Sequence, residues 1–480
     1  MADGGGSSVQ LRAAMRALTR PDEAAVLDRL MAQARLDAEA RGRITARAAD
    51  LVRTVRKRSS PRLMEVFLAE YGLSTREGVA LMCLAEALLR VPDAETIDAL
   101  IEDKIAPSDW GKHLGHSTSS LVNASTWALM LTGKVLKEED AKPEGKADGG
   151  GVVGALRGAV KRLGEPMIRR AVGQAMKELG RQFVLGRTID EALKRAQEWE
   201  KKGYTYSYDM LGEAARTDAD ARRYHLSYTQ AITALAKVGV GQPRAARPEI
   251  SVKLSALHPR YETAQRDRVM AELVGRLRSL ALLAASVGVG LNVDAEEADR
   301  LDLSLDVIEA VVSDPALAGW DGFGIAVQAY GPRALPVINW IYDLAGATKR
   351  RLMVRLVKGA YWDTEIKRAQ VKGLDGFPVF TRKTTTDISY IACARRLLDG
   401  RDRLYPQFAT HNAHTAATVL EMAGDDREGF ELQRLHGMGE SLHAAVKEAE
   451  GNRCRIYAPV GAHRDLLAYL VRRLLENGAN

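Results

Sequence analysis

VRLVKGAYW, Val354 to Trp362, is a short apolar run that ends on a basic residue and a glycine, followed by a stretch long enough for a helix. Seven other short apolar or alternating runs are likewise separated by stretches long enough for a helix: YTYSYDM (204–210), ISVKLS (250–255), LNVDAEE (291–297), GIAVQAY (324–330), QFATHN (407–412), FELQRLHGMG (430–439) and RIYAPVG (455–461). Their centres are rich in Val, Ile and Leu, as strands buried in a parallel sheet require. Eight strands alternating with helices predict an α/β fold, a (β/α)8 TIM-type barrel.

Each run carries unusual polar residues near its C-terminal end: Asp209, Lys253, Asp294, Gln328, Arg355 with Lys358, His411 with Asn412, Gln433 with His436, and Tyr457. In a parallel barrel those ends open on one face, where barrel enzymes do their chemistry. One such residue would read as a solvated strand end. The recurrence in every run predicts a shared site.

From Val9 to about Leu136 the text is helical, punctuated at Pro21, Pro61, Gly72 and Pro107. KPEGKADGGGVVGALRG, Lys142 to Gly158, collects glycine and charge and reads as a linker. The expected division is an N-terminal helical arm (1–60), an all-α domain (61–141), a linker with connecting helices (142–188) and the barrel (189–480). The last helix, HRDLLAYLVRRLLENGAN, is expected to cap the active site. Tyr469, Arg472, Arg473 and Glu476 form one polar stripe on it. Spacing alone leaves two readings, an arginine clamp for an anion or an Arg–Glu ion pair on a surface helix.

The chain has 480 residues, 46% hydrophobic and 27% charged, ordinary globular composition with apolar mass for more than one core. It has no apolar run of membrane-spanning length and no signal peptide, so a cytoplasmic location is expected. Cys83, Cys393 and Cys454 are widely spaced, without Cys-x-x-Cys or a nearby histidine pair. They read as buried thiols, with no disulfide framework and no metal site. The net charge of +7 gathers early, in RAAMRALTR, RGRITARAAD and RTVRKR. Those arginines lack aromatic interleaving, which favours solvated helix faces or an acidic partner surface over nucleic acid.

No G-x-G-x-x-G or P-loop accompanies a strand, so neither a Rossmann nicotinamide site nor a nucleoside triphosphate site is indicated. The phosphate candidate is VKGAYW, where Lys358 and free backbone N–H groups follow a strand, with TRKTTTD, Thr381 to Asp387, further along the same connection. A charged surface loop is the plainer reading of the same residues.

SVKLSALHPRY, LNVDAEEADRLDLSLDV, VRLVKGAYWDTEIKRAQ, FATHNAHT, LHGMGE, CRIYAPVG and YLVRRLLENGAN together resemble the proline dehydrogenase barrel of the proline utilization A (PutA) family. The resemblance is close from Tyr204 to Asn480 and general before that. It implies FAD as cofactor, L-proline as substrate and Δ1-pyrroline-5-carboxylate as product. Residue by residue, it places the proline carboxylate clamp on Arg472 and Arg473 with Lys253 beside them. Leu435, Tyr457 and Tyr469 would wall the proline ring, Glu476 would orient the arginines, and Asp294 would be an active-site carboxylate. The flavin positions would be Gln328, Arg355, Val357, Lys358, Gly359, Ala360, Trp362, Thr381, Lys383, His411, Asn412 and Gln433.

The implied reaction is hydride transfer from proline C5 to flavin N5, with cations in the site disfavouring the protonated amine. A ubiquinone-type quinone would take the electrons, which implies peripheral contact with the inner face of the cytoplasmic membrane. Two departures from the family pattern carry expectations. The chain stops at Asn480, where the family continues into an aldehyde dehydrogenase half, so that second activity should be missing. The first fifty residues hold no ribbon-helix-helix pattern, so no nucleic-acid partner is expected. Two other readings remain: a barrel lyase with a Schiff base on Lys253, and a module that binds a membrane surface or a partner domain.

Overall fold

The computed structural model describes residues 4–58 and 183–461, apart from Val240. Three helices open the chain: α1 (Gly4–Ala17), α2 (Glu23–Ala34) and α3 (Ala38–Arg58). After α4 (Ile189–Glu200) come β1 (Thr205–Met210), α5 (Asp218–Gly239), β2 (Glu249–Val252), α6 (Arg266–Ser286), β3 (Gly290–Val293), α7 (Leu301–Val312) and β4 (Phe323–Gln328). Then follow α8 (Ala334–Ala347), β5 (Leu352–Val357), α9 (Trp362–Val371), α10 (Lys383–Asp399), β6 (Leu404–Ala409), α11 (Ala413–Ala423), β7 (Glu431–Leu435), α12 (Glu440–Glu450) and β8 (Cys454–Val460).

The eight strands are all parallel and close in sequence order, β8 lying beside β1 with Tyr206 opposite Ile456. This is the (β/α)8 barrel expected from the sequence. Several strands begin and end earlier than their runs: β5 ends at Val357, before Lys358–Trp362, and β6 starts at Leu404. The polar tails counted with the runs belong to the loops above the strands. The helix expected to cap the barrel, with Tyr469, Arg472, Arg473 and Glu476, lies outside the described residues, as do the segment 61–141 and Cys83.

Side chains alternate along each strand, and the two faces differ sharply here. Ile250, Val252, Leu291, Val293, Phe323, Ile325, Leu352, Val354, Leu356, Leu404, Phe408, Leu432 and Ile456 belong to one continuous apolar core with residues of α5 to α8 and α10. The other face points into the barrel and carries Ser207, Asp209, Glu249, Ser251, Lys253, Asn292, Arg355, Gln407, Glu431, Gln433 and Arg455, all buried. Bonds between opposite strands prove that direction: Gln407 of β6 donates to Glu249 of β2 at 2.9 Å, across the lumen. The apolar centres read from the sequence thus pack outward on the helices, while the interior, usually Val, Ile and Leu in such barrels, is polar. Gly324 leaves room for it, since a Cβ there would lie 2.0 Å from Asn292 Oδ1.

The arginine-rich start finds its acidic partner surface on the barrel's own outer helices. Arg35 pairs with Asp399, Arg43 with Glu421 at 2.7 Å, and Arg58 with Glu448 at 2.7 Å. Val26 and Leu30 of α2 pack with Phe380 and Ala392, and Ile44 and Ala48 of α3 with Ala417. Arg12 is buried, donates to Asp306 at 2.6 Å and to the Asp302 carbonyl at 2.8 Å, and lies 5.6 Å from the Trp340 ring centroid.

Burial separates these arginines energetically. Replacing Arg12 by Ala removes a buried guanidinium that bonds Asp306 and the Asp302 carbonyl, leaves Asp306 to Arg266 alone at 3.0 Å, and should cost about 2 kcal/mol. Replacing Arg43, whose side chain is half exposed, should cost far less, because solvent screens its ion pairs. Denaturant titration of both variants checks this, and equal losses would refute the asymmetry.

Candidate active site

Five side chains from five strand ends meet above the polar interior. Lys253 donates from Nζ to Asp209 Oδ1 at 2.5 Å and stands 3.4 Å from Asp294 Oδ2 and 3.5 Å from the Tyr457 hydroxyl. Tyr457 donates to Asp294 Oδ2 at 2.8 Å, and Arg355 Nη1 donates to Asp294 Oδ1 at 2.8 Å. The guanidinium of Arg355 also lies 5.0 Å from the centroid of the Tyr457 ring. The structure therefore brings together Lys253, Asp294, Arg355 and Tyr457 from the expected set. Asp209 joins them; the sequence marked it as a polar strand end without giving it a role.

Burial dominates the electrostatics. It pushes the Asp209 carboxyl up, against the pull of Lys253. It would push Lys253 down, but Asp209, Tyr457 and Asp294 outweigh it and hold that ammonium well above the ordinary lysine value. Lys253 is thus a charged group. Two cations, Lys253 and Arg355, face two carboxylates, Asp209 and Asp294, so the cluster is balanced. The cation excess expected there is not met among the described residues.

Beneath the cluster, Arg355 uses its donors on three more strands: Nε to Gln433 Oε1 at 2.9 Å, Nη1 to Ser251 Oγ at 3.0 Å and Nη2 to Ser207 Oγ at 2.9 Å. Gln433 donates to Glu431 at 2.8 Å, and Glu431 receives Arg455 on both oxygens, at 2.7 and 3.1 Å. Ser207, Ser251, Glu249, Glu431 and Arg455 were missed by the sequence reading. For Ser207, Glu249 and Ser251 the signal was the polar–apolar alternation in TYSYDM and EISVK.

The remaining expected residues form an outer rim. Gln328 accepts from Ala360 N at 3.2 Å and donates to the Glu296 carbonyl at 2.8 Å, which ties the end of β4 to the loop after β5. Gly359, at the end of Val357-Lys358-Gly359, has φ 143°, and a Cβ there would lie 2.3 Å from the Tyr330 ring. Lys358 and Lys383 both pair with Asp387, at 2.7 and 2.9 Å. Trp362, 41% exposed, donates from Nε1 to the Phe380 carbonyl at 2.8 Å. Thr381 gives its N–H and its hydroxyl to Glu23 of α2, at 3.0 and 2.8 Å. His411 Nε2 accepts from the N–H of Leu435 at 3.0 Å, and Asn412 caps α11 by accepting from Thr415 N at 3.0 Å.

A family model described as proline dehydrogenase matches residues 192–480. The chain belongs to the proline dehydrogenase family. A model described as the proline utilization A proline dehydrogenase N-terminal domain matches 10–56. Among curated proteins, the bifunctional protein PutA of Escherichia coli is 52% identical over 98% of this chain and 36% of its own length. The proline dehydrogenase of Deinococcus radiodurans is 27% identical over 66% of this chain and 91% of its own length. Among solved structures, proline utilization A of Bradyrhizobium japonicum superposes with a TM-score of 0.72 at 54% identity, over 96% of this chain and 46% of that one. The chain thus spans about a third of the length of the curated PutA relatives, 36% for the Escherichia coli protein. Membership bears out the resemblance to this family read from the strand-end motifs.

One expectation is corrected. Residues 63–183 match a model described as the DNA-binding domain of proline dehydrogenase, so the absence of a nucleic-acid partner does not stand. The expectation rested on the first fifty residues, and the matched segment follows them, residues 63–182 of it lying outside the described residues. The Schiff-base lyase also loses its footing, because such a lysine must be uncharged to attack and Lys253 is held charged by two carboxylates. No described helix is long and apolar enough to cross a membrane.

Beside the site, Glu296 is pushed up to about 7 from an ordinary 4.5 by burial, opposed by Arg300 at 3.4 Å and the Ser255 N–H at 3.0 Å. Between pH 4.5 and 7 the folded chain then holds a proton that the unfolded chain has released. Stability should fall as pH rises through that window, by about 3 kcal/mol at ~1.4 kcal/mol per unit. A Glu296→Gln variant lacks the titration and should gain on the wild type by that amount between pH 5 and pH 8. Denaturant unfolding at both pH values tests this; a constant difference would refute it.

Proposed function

We propose that this chain oxidises L-proline to Δ1-pyrroline-5-carboxylate with FAD, the first step in converting proline to glutamate. The supporting observation is the buried cluster in which Lys253, Asp294, Arg355 and Tyr457, named by the family resemblance, meet within hydrogen-bonding reach at the strand ends. The donor set of the rim fits the cofactor's pyrophosphate. Lys358 and Lys383 share the single carboxylate of Asp387, which leaves one net positive charge beside the half-buried loop 358–360. Gln328, Val357, Gly359, Ala360, Trp362, Thr381, His411, Asn412 and Gln433 would complete that site. When bound, the flavin supplies the hydride acceptor.

The chain's own residues hold and orient the substrate. Lys253 and the arginines Arg472 and Arg473, the latter two outside the described residues, neutralise the proline carboxylate, with Glu476 orienting the pair. Leu435, Tyr457 and Tyr469 wall the ring. Asp294, fixed by Tyr457 and Arg355, offers an acceptor toward the amine. Loss of hydride from C5 and a proton from nitrogen leaves the C=N bond of the product. The acceptor for the electrons is a ubiquinone-type quinone, reached at the inner face of the cytoplasmic membrane from the cytoplasm.

Residues 63–183 support a second reading, that this segment binds DNA, which rests on the description of the matched model. Duplex binding whose affinity falls steeply with salt is expected; no shift at low salt would remove it.

Adding L-proline without oxygen should bleach the visible flavin bands, and D-proline should not. Replacing Arg472 or Arg473 by Met should raise the proline KM by about 10- to 150-fold with flavin retained, the loss of 1.5 to 3 kcal/mol for a charged hydrogen bond. Unaltered KM in both variants would take those residues out of the site.

A further inference from the structure

We propose that Glu431, deep in the barrel and out of reach of substrate, is a positioning residue that sets Arg355 through the side-chain amide of Gln433. This rests on the functional reading above, in which Arg355 fixes Asp294 toward the amine, and on the family resemblance, which counts Arg355 among the flavin positions. The argument is one of donors and acceptors. A guanidinium only donates and a carboxylate only accepts, whereas an amide does either, according to which way it is turned. Gln433 sits between the two kinds: its oxygen takes Arg355 Nε at 2.9 Å and its nitrogen gives to Glu431 Oε1 at 2.8 Å. Turned the other way, the amide would set an NH2 against the N–H of Arg355 and an oxygen against a carboxylate. Glu431 therefore selects the orientation that gives Arg355 an acceptor.

Glu431 is itself held from several sides. Arg455 donates to both of its oxygens at 2.7 and 3.1 Å, Gln407 to Oε1 at 3.0 Å and Tyr405 to Oε2 at 3.4 Å. Glu431 and Gln433 are buried on the inward face of β7. The anchor is rigid, and its effect runs up the barrel from Gln433 to Arg355 and from Arg355 Nη1 to Asp294 at 2.8 Å. Glu249 is the other carboxylate near this guanidinium, 3.9 Å from Nη2, and it receives Asn292 at 2.7 Å as well as Gln407. It offers Arg355 charge while bonding the amides of Asn292 and Gln407, and the amide of Gln433 gives its N–H to Glu431, so the orientation of Gln433 depends on Glu431.

The test exchanges the two roles. In Glu431→Gln the amide at 433 is free to turn, Arg355 loses its acceptor at Nε, and Asp294 loses its fixed donor. The flavin of the purified holoenzyme should be reduced by L-proline about tenfold more slowly, with a proline KM changed less than threefold. The midpoint potential of the bound flavin should move to a more negative value, because a loosened cation stabilises the reduced form less. In the double variant Glu431→Gln with Gln433→Glu, an amide at 431 donates to a carboxylate at 433, which again accepts from Arg355. Rate and potential should return to within threefold and close to the wild type.

A single variant that reduces at the wild-type rate and potential would overturn the proposal, as would a double variant no better than the single. If the single variant holds no flavin, the double variant decides alone: wild-type behaviour supports the assignment, and loss of flavin or rate there overturns it. Wild-type flavin that L-proline does not bleach would instead strike the functional reading, before any variant is made.

Discussion

The guanidinium of Arg355 crosses the lumen of the barrel, and the arrangement of the site depends on it. It takes acceptors from β1, β2, β7 and the loop after β3, so one side chain fixes the relative positions of four staves. A planar fork with five fixed donors does this better than an ammonium, which turns freely and carries three. Because water is excluded, each bond is stronger than it would be at the surface, and each partner removed leaves a buried group without an answer.

The interior is a ledger of charge as well as of geometry. Three cations, Lys253, Arg355 and Arg455, stand among four carboxylates, Asp209, Glu249, Asp294 and Glu431. The carboxyls of Asp209 and Glu249 are both pushed up by burial, which is the direction an excess of one negative charge demands. Such a lattice has little to gain in stability over an apolar filling. What it supplies is definition: every member has few partners and can adopt few orientations.

How much of this was legible follows from what each residue signals. The apolar members of ISVKLS or VRLVKGAYW announce strands, and their number gave the barrel. Asp294 and Lys253 were legible as strand-end polar groups, and Arg355 as a charge amid Val and Leu. Glu431 and Arg455 escaped because they lie at the N-terminal ends of β7 and β8, where a charge reads as the solvated start of a strand. Period-two alternation in EISVK was present, yet a barrel filled with Val and Ile was the stronger prior. The rim was read less sharply still: TRKTTTD contains no periodicity, and the partner of Thr381 is Glu23, 358 residues earlier in the chain. Nothing local in either segment reports that contact.

That last contact bears on where this enzyme ends. A barrel cut free at residue 184 would keep all its staves, yet Thr381 would be left holding two donors toward empty solvent, and Phe380 and Ala417 would lose the aliphatic cover of the opening helices. The barrel alone is thus an incomplete body; the first helices are part of its outer wall.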